Sequence, residues 1–282
     1  MIRPSVLRDT RAAYDAVASL YAELFSNVLE TLPMERALLA AFAELVQARN
    51  AGPVADIGCG PGHVTAHLHA LGPATFGIDL SSEMVALARQ AHPDLRFDQG
   101  SMTALDLADG VLGGILASYS IIHTPPQQLP AVFTEFWRVL EPGGHLLLGF
   151  FGGDGPLPQE FDHKVTLAYR WPPDSLAELL RQAGFAEVAR LLREPHQDER
   201  FQQAHLLVRK PQEAGQCTSC RPPVPVSRHP AITLLSNTAP RIRQALRIPR
   251  GASRWRRRDI RRRTGRSPCS SRSRWRTDRR RA

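Results

Sequence analysis

The chain has 282 residues, with 36 Lys and Arg against 27 Asp and Glu and a formal net charge of +9. That average joins two unlike parts: residues 211–282 hold 20 Arg, no Lys and three acids, while residues 1–210 carry a net charge of −8. Cys59 is the one cysteine in the acidic part, which excludes an internal disulfide framework there. The lack of a leader-type segment or an 18-residue apolar run leads us to expect a cytoplasmic protein without a membrane partner.

Taken in order, residues 9–25 read as a helix with Asp9 or Thr10 as its cap. Tyr14, Val17, Ala18, Tyr21 and Phe25 recur at helical spacing. This is either an amphipathic helix packed on a domain or a lid that closes over a ligand. Pro33 opens a second helix over 34–48, with Leu38, Leu39, Phe42, Leu45 and Val46 as its apolar face.

Val54–Ile57 is a buried strand. It runs into Gly58-Cys59-Gly60-Pro61-Gly62, where three glycines at alternate positions let a ligand approach the backbone closely, and a helix over 63–71 follows. Strand 75–78 ends at Asp79. An acid about 20 residues beyond a glycine turn is placed to take the two hydroxyls of a ribose. Ser81 or Ser82 caps a helix over 82–91, and residues 95–97 form a short strand before the Gln99–Met102 loop.

Residues 111–119 are an apolar run that fits a buried strand, and Ser120–Thr124 leaves its end. A helix over 127–139, a hard turn at Glu141–Gly144 and a strand over 145–150 come next. The pattern breaks over 151–170, which reads as an insert above the sheet. A helix over 174–183 and strands over 187–191 and 201–209 close the series. The two late strands can pair as a hairpin, which makes one of them an antiparallel edge strand.

This alternation predicts an α/β fold, an open and mostly parallel sheet with helices on both faces. Ligands in such a sheet bind beyond the C-terminal strand ends. Attention therefore falls on Gly58–Gly62, Asp79, Ser101–Met102, Tyr119–His123 and Phe150 onward. A nicotinamide dehydrogenase is disfavoured, because its Gly-x-Gly-x-x-Gly fingerprint has a wider last gap.

With these motifs in place, residues 50–210 resemble the class I S-adenosylmethionine-dependent methyltransferases of the small-molecule type. The likeness rests on Asp56-x-Gly58-x-Gly60-x-Gly62, on Asp79, on Leu140-Glu141-Pro142-Gly143-Gly144 and on the Leu179–Phe185 segment. It implies a Rossmann-like seven-stranded sheet with a reversed last strand, and S-adenosylmethionine as cofactor. By the same likeness, the loop of Gly58, Cys59, Gly60 and Gly62 lies along the methionine part, Asp56 orients that loop or the cofactor's amino group through hydrogen bonds, and Asp79 takes the ribose. Leu80, Ser101 and Met102 border adenine, with Ser101 standing where many relatives carry an acid. Ser118 and Tyr119 lie under the sulfonium, and Tyr14 and Tyr21 belong to a substrate-side lid. The implied organisation is a helical lid and substrate wall over 1–49, a core over 50–210 and a tail over 211–282.

Methyl transfer to a small molecule needs a base only where the acceptor arrives protonated. His123 is the first candidate, with an ordinary pKa near 6.5, and His163 in the insert is the second. Arg170 is a candidate for binding an acidic substrate group. No metal site is expected, since His63 and His67 lack a carboxylate partner.

The Arg-rich tail repels itself and is expected to be disordered. It reads as a nucleic-acid arm, as an extension without a role, or as sequence never selected as protein. Cys217-x-x-Cys220 is half of a zinc pattern, which Cys269 and His229 complete poorly. The alternative function is a nucleic-acid-binding protein or RNA methyltransferase that uses this tail. The acidic body disfavours it.

Overall fold

The computed structural model describes residues 4–212 apart from positions 26, 50 and 198. The expectations for the Arg-rich segment and its cysteines lie outside the described residues. Among the described residues, no helix is long and apolar enough to cross a membrane.

Two helices, α1 (Pro4–Phe25) and α2 (Pro33–Gln47), precede the sheet. Then follow β1 (Val54–Ile57), α3 (His63–Ala70), β2 (Thr75–Asp79), α4 (Ser82–Ala91), β3 (Phe97–Gln99), β4 (Leu112–Ser118) and α5 (Leu129–Val139). The chain continues through β5 (Leu140–Phe151), β6 (Gln159–Asp162), β7 (Leu167–Arg170), α6 (Pro173–Gln182), β8 (Ala186–Arg193) and β9 (Gln203–Arg209). Seven strands form one sheet in the order β3-β2-β1-β4-β5-β9-β8, and β6 and β7 pair separately as an antiparallel hairpin.

Strands β1 to β5 run parallel, and β9 pairs antiparallel with both β5 and β8. The reversed strand is thus interior, not at the edge, and β8 forms the edge. This explains the burial of β9 on both faces. Ala204, Leu206 and Val208 join the core under α5 and α6, while Leu207 meets the cluster built around α2. A strand covered on both faces does not show the polar–apolar alternation of an edge.

The two N-terminal helices have different roles. Phe42 and Val46 of α2 pack with Val54, Leu116 and Leu147 beneath the sheet, so α2 belongs to the core layer and not to a lid. The first helix begins at Pro4, a residue suited to a helix start, which places Asp9 and Thr10 inside the helix and not at its cap. Strand β3 lies two residues later than the apolar run 95–97 suggests, because pairing with β2 sets Phe97, Asp98 and Gln99 opposite Gly77, Ile78 and Asp79. The Pro-Gly-Gly turn is a bulge inside β5. The register jumps there from Leu112↔Leu140 to Gly114↔His145, and Gly143 adopts φ +84°.

Candidate active site

The C-terminal ends of β1, β2 and β4 open into a concave cleft, the place where a sheet of this kind takes a small molecule. The glycine turn forms its floor. Gly58 adopts φ +79° and donates its N–H to the Ile78 carbonyl at 2.7 Å. Gly60 adopts φ +53°, and a Cβ there would meet only Tyr21 Cε1, at 3.9 Å. The backbone at Gly60 therefore lies open to a ligand. Gly62 serves packing instead, since a Cβ would fall 2.8 Å from the Phe97 ring.

Asp79 stands where β2 ends and lines the cleft. Its Oδ2 accepts from the Gly60 N–H and its Oδ1 from the Ser81 N–H, both at 2.8 Å. Burial raises its pKa, and these backbone donors oppose the rise. Each carboxylate oxygen keeps a further lone pair, which suits a vicinal diol. Leu80, Ser101, Met102, Ser118 and Tyr119 also line the cleft. The Ser101 hydroxyl lies 2.9 Å from the Thr103 hydroxyl.

Asp56, Cys59 and Arg170 also lie outside the cleft lining. Asp56 is buried behind the turn and accepts from the Thr65 hydroxyl at 2.6 Å, tying β1 to the first turn of α3. Burial pushes its pKa up to about 7. Cys59 packs against Val85, Ala88 and Phe97 beneath the turn, and its thiol faces away from the cleft. Arg170 bonds to Gln159 and stacks over the Phe201 ring at 4.4 Å, because the β6–β7 pairing sets it opposite Gln159. Arg170 is therefore a hairpin residue, not part of the cleft wall.

The opposite wall is the first helix. Val6, Leu7, Thr10, Tyr14 and Tyr21 reach the cleft at helical spacing. Asp15 fastens this helix to the start of α4, accepting from the Ser81 hydroxyl at 2.6 Å and the Glu83 N–H at 3.2 Å. The Tyr14 hydroxyl and His123 Nε2 are 2.7 Å apart, and His123 Nδ1 lies 2.8 Å from the Leu167 carbonyl of the hairpin. A carbonyl cannot donate, so Nδ1 carries the proton and neutral Nε2 accepts from Tyr14.

Burial lowers the His123 pKa to about 4, far from the near-neutral value its residue type suggests. Burial and the nearby Asp79 charge raise Tyr14 and push Tyr21 up to about 12. His163 packs its ring 5.1 Å from that of His123, outside the cleft lining. Its Nδ1 is buried without a hydrogen-bond partner. Among the described residues, no group of three or more His, Cys, Asp or Glu could hold a metal ion.

Val6, Leu7, Thr10, Gly100, Thr124 and Pro125 line the cleft without a motif to announce them. Tyr119 adds a feature invisible in sequence, a left-handed backbone at φ +53°. Its N–H donates to the Gly149 carbonyl at 2.8 Å and its hydroxyl to Gln203 Oε1 at 2.6 Å. Such backbone strain in a non-glycine residue is concentrated at functional sites.

A family model described as a methyltransferase domain matches residues 54–144, the span that holds the glycine turn, Asp79 and the Pro-Gly-Gly bulge. Residues 54–144 are thus a methyltransferase domain, and the chain has the class I S-adenosylmethionine-dependent methyltransferase fold. Its cofactor is S-adenosylmethionine and its activity is methyl transfer. The chain is 28% identical over 205 residues to a demethylmenaquinone methyltransferase of Chlorobaculum parvum, covering 62% of this chain and 83% of that one. It is 26% identical over 174 residues to a malonyl-[acyl-carrier protein] O-methyltransferase of Erwinia billingiae, covering 62% and 66%.

In fold, the methyltransferase is similar to the 1,6-didemethyltoxoflavin-N1-methyltransferase of Burkholderia thailandensis, solved with 1,6-didemethyltoxoflavin and S-adenosylhomocysteine. The TM-score is 0.60 at 22% identity, over 75% of this chain and 92% of that one. A methyltransferase of Methanosarcina mazei matches at a TM-score of 0.52 and 20% identity, over 58% and 94%.

The buried histidines bear on stability as well. Burial lowers His63, His123, His145 and His205 each to about 4. A native pKa below the unfolded one means that the unfolded chain binds more protons between about pH 6.5 and 4. The stability from these groups is full above that window and is lost as pH falls through it. The raised carboxyls of Asp56 and Asp79 act in the opposite direction and offset part of the loss. The expected outcome is a net loss of stability between pH 6.5 and 4.5, seen as a falling urea midpoint. A flat midpoint over that range would show that these histidines are not held neutral.

Proposed function

We propose that this methyltransferase acts by in-line displacement on a small acceptor seated between the first helix and His123, at a hydroxyl or carboxylate oxygen or an amine. S-adenosylmethionine supplies an already activated methyl group, so the protein's work is orientation, exclusion of water and handling of a proton. In this reading the Gly58–Gly60 backbone runs beside the methionine part and Asp79 takes the ribose. Leu80, Ser101 and Met102 border the adenine. Ser118 and Tyr119 underlie the sulfonium, while Tyr14 and Tyr21 face the acceptor as part of a lid.

The observation that carries the reading is the bond between Tyr14 and His123, made across 109 residues of sequence and placed on the cleft wall. Relatives are named for O-methylation and for N1-methylation, so the proton-handling role is argued from Tyr14 and His123 alone. Tyr14 relays a proton to the free lone pair of His123 Nε2. Mass-spectrometric turnover tests the assignment. Tyr14→Phe and His123→Ala are each expected to lower kcat by about 10- to 100-fold, the low end for loss of a base, with little change in S-adenosylhomocysteine affinity. A kcat unchanged in both variants would remove the pair from the mechanism.

The pH profile gives a second check. His123 is packed against Tyr14 from the first helix and His163 from the hairpin, and burial holds it neutral down to about pH 4. The rate should therefore be flat from about pH 5 to 8. A limb near pH 6.5 that disappears in His123→Ala would show that the group titrates as an ordinary histidine.

A further inference from the structure

We propose that this site selects acceptors that bring their own proton, a neutral hydroxyl or N–H group, and rejects carboxylates. The inference deepens the reading of Tyr14 and His123 given above and rests on it. It follows from the direction of a hydrogen-bond chain. The Leu167 carbonyl can only accept, so His123 Nδ1 must donate to it. The neutral ring then has a lone pair and no proton at Nε2. At 2.7 Å, the Tyr14 hydroxyl must donate to that lone pair. A phenol has one proton, and here it is committed. Toward the cleft, Tyr14 therefore offers only lone pairs.

The neighbouring groups keep this direction. Tyr14 and Tyr21 lie edge to face at 6.0 Å, and Asp79 is close enough to raise the pKa of both phenols. The phenols thus stay protonated, and Asp79 adds a negative charge to the same cleft. In the resting site His123 is buried and neutral near neutral pH, which keeps the chain in this direction, and the ring carries a second proton only transiently during turnover.

An acceptor hydroxyl or N–H would donate to the Tyr14 oxygen and complete the chain. A carboxylate oxygen would set lone pair against lone pair in a cleft already holding an anion, which leaves buried acceptors unpaired. Discrimination is strongest where a site is built for one donor or acceptor pattern.

The reaction balances on this path. The acceptor atom forms a bond to the methyl carbon as the carbon–sulfur bond breaks, and that electron pair stays on sulfur as a neutral thioether. The acceptor's proton passes to the Tyr14 oxygen while the Tyr14 proton passes to His123 Nε2. The positive charge moves from sulfur to the imidazole and then leaves with the proton to solvent. A carboxylate has no proton to send along this chain, so it gains nothing from Tyr14 or His123.

Two measurements on the full chain test the proposal. The first uses protein with 15N-labelled histidine, saturated with S-adenosylhomocysteine, and reads the His123 tautomer by long-range 15N NMR. The expected result is a protonated Nδ1 and an unprotonated Nε2 whose shift moves in Tyr14→Phe. A proton on Nε2 would free the Tyr14 hydroxyl to donate into the cleft and would overturn the proposal without any acceptor being known. The second presents a panel of phenols, anilines and matched benzoates with labelled S-adenosylmethionine. Ether or N-methyl products exceeding methyl esters by at least tenfold support the proposal. Methyl esters formed at an equal or higher rate overturn it. Calorimetric titration of S-adenosylhomocysteine separates the two levels, since failure to bind would strike the cofactor site itself and not the direction of the chain.

Discussion

Replacing Asp79 with alanine is expected to weaken S-adenosylhomocysteine binding on the order of 1000-fold, with the fold retained. The carboxylate has two separate roles at the end of β2. It accepts from the Gly60 and Ser81 N–H groups, which fixes the glycine turn relative to the start of α4. Its remaining lone pairs face the cleft, where they can take a ribose diol. Hydrogen bonds to a charged group contribute roughly 1.5–3 kcal/mol each, so losing two removes about 4 kcal/mol of binding. Asp79→Asn is the informative companion. It keeps the shape and one acceptor oxygen, so it should retain part of the affinity that the alanine variant loses. Calorimetric titration measures both, and an alanine variant that binds within tenfold of the parent would refute the assignment of Asp79 to the ribose.

Introducing a methyl group at Gly58 is expected to destabilise the protein by about 2–5 kcal/mol and to remove cofactor binding. The backbone there adopts φ +79°, a conformation that costs an L-residue roughly 1–2 kcal/mol. The added Cβ would also stand 2.2 Å from the Ser120 Cβ, a contact that demands movement of the loop after β4. Overpacking of this kind costs about 1–3 kcal/mol. The two contributions can be separated. Gly58→Ala combined with Ser120→Gly removes the side chain in the way and leaves only the backbone penalty, so the double variant should recover part of the loss in a urea titration. No recovery would mean that backbone strain alone carries the effect.

Much of this architecture is legible because periodic burial follows from periodic sequence. The apolar run before Gly58 had to be a covered strand, and glycines at alternate positions had to be a turn that favours positive φ. Asp79 stands out because a strand that ends in an acid near a glycine turn presents that acid at the edge of the sheet. Reversal of the final strand was expected from family likeness, but its interior place was not. The two late strands left open which of them is the edge, and only the pairing of β9 with both β5 and β8 shows why His205 and Leu207 are buried.

Side-chain direction was much less legible. Cys59 lies between two site glycines, yet the turn rotates it into the packing cluster with Phe97. Arg170 sits beside Tyr169 in the insert, yet its register opposite Gln159 holds it on the hairpin. Both outcomes depend on backbone rotation and strand register, which a residue's type does not encode.

The amino-acid sequence by itself determined the alternating strands and helices, the glycine turn and the acid that faces it, because these depend on local spacing and on which residues can be buried. Tertiary structure alone decided that Tyr14 meets His123, that a carbonyl from the hairpin fixes which imidazole nitrogen is protonated, and that burial lowers the histidine's pKa to about 4. Those are properties of contacts between distant segments. Hydrogen-bond direction and desolvation exist only once the helix, the loop after β4 and the hairpin have closed around the same ring.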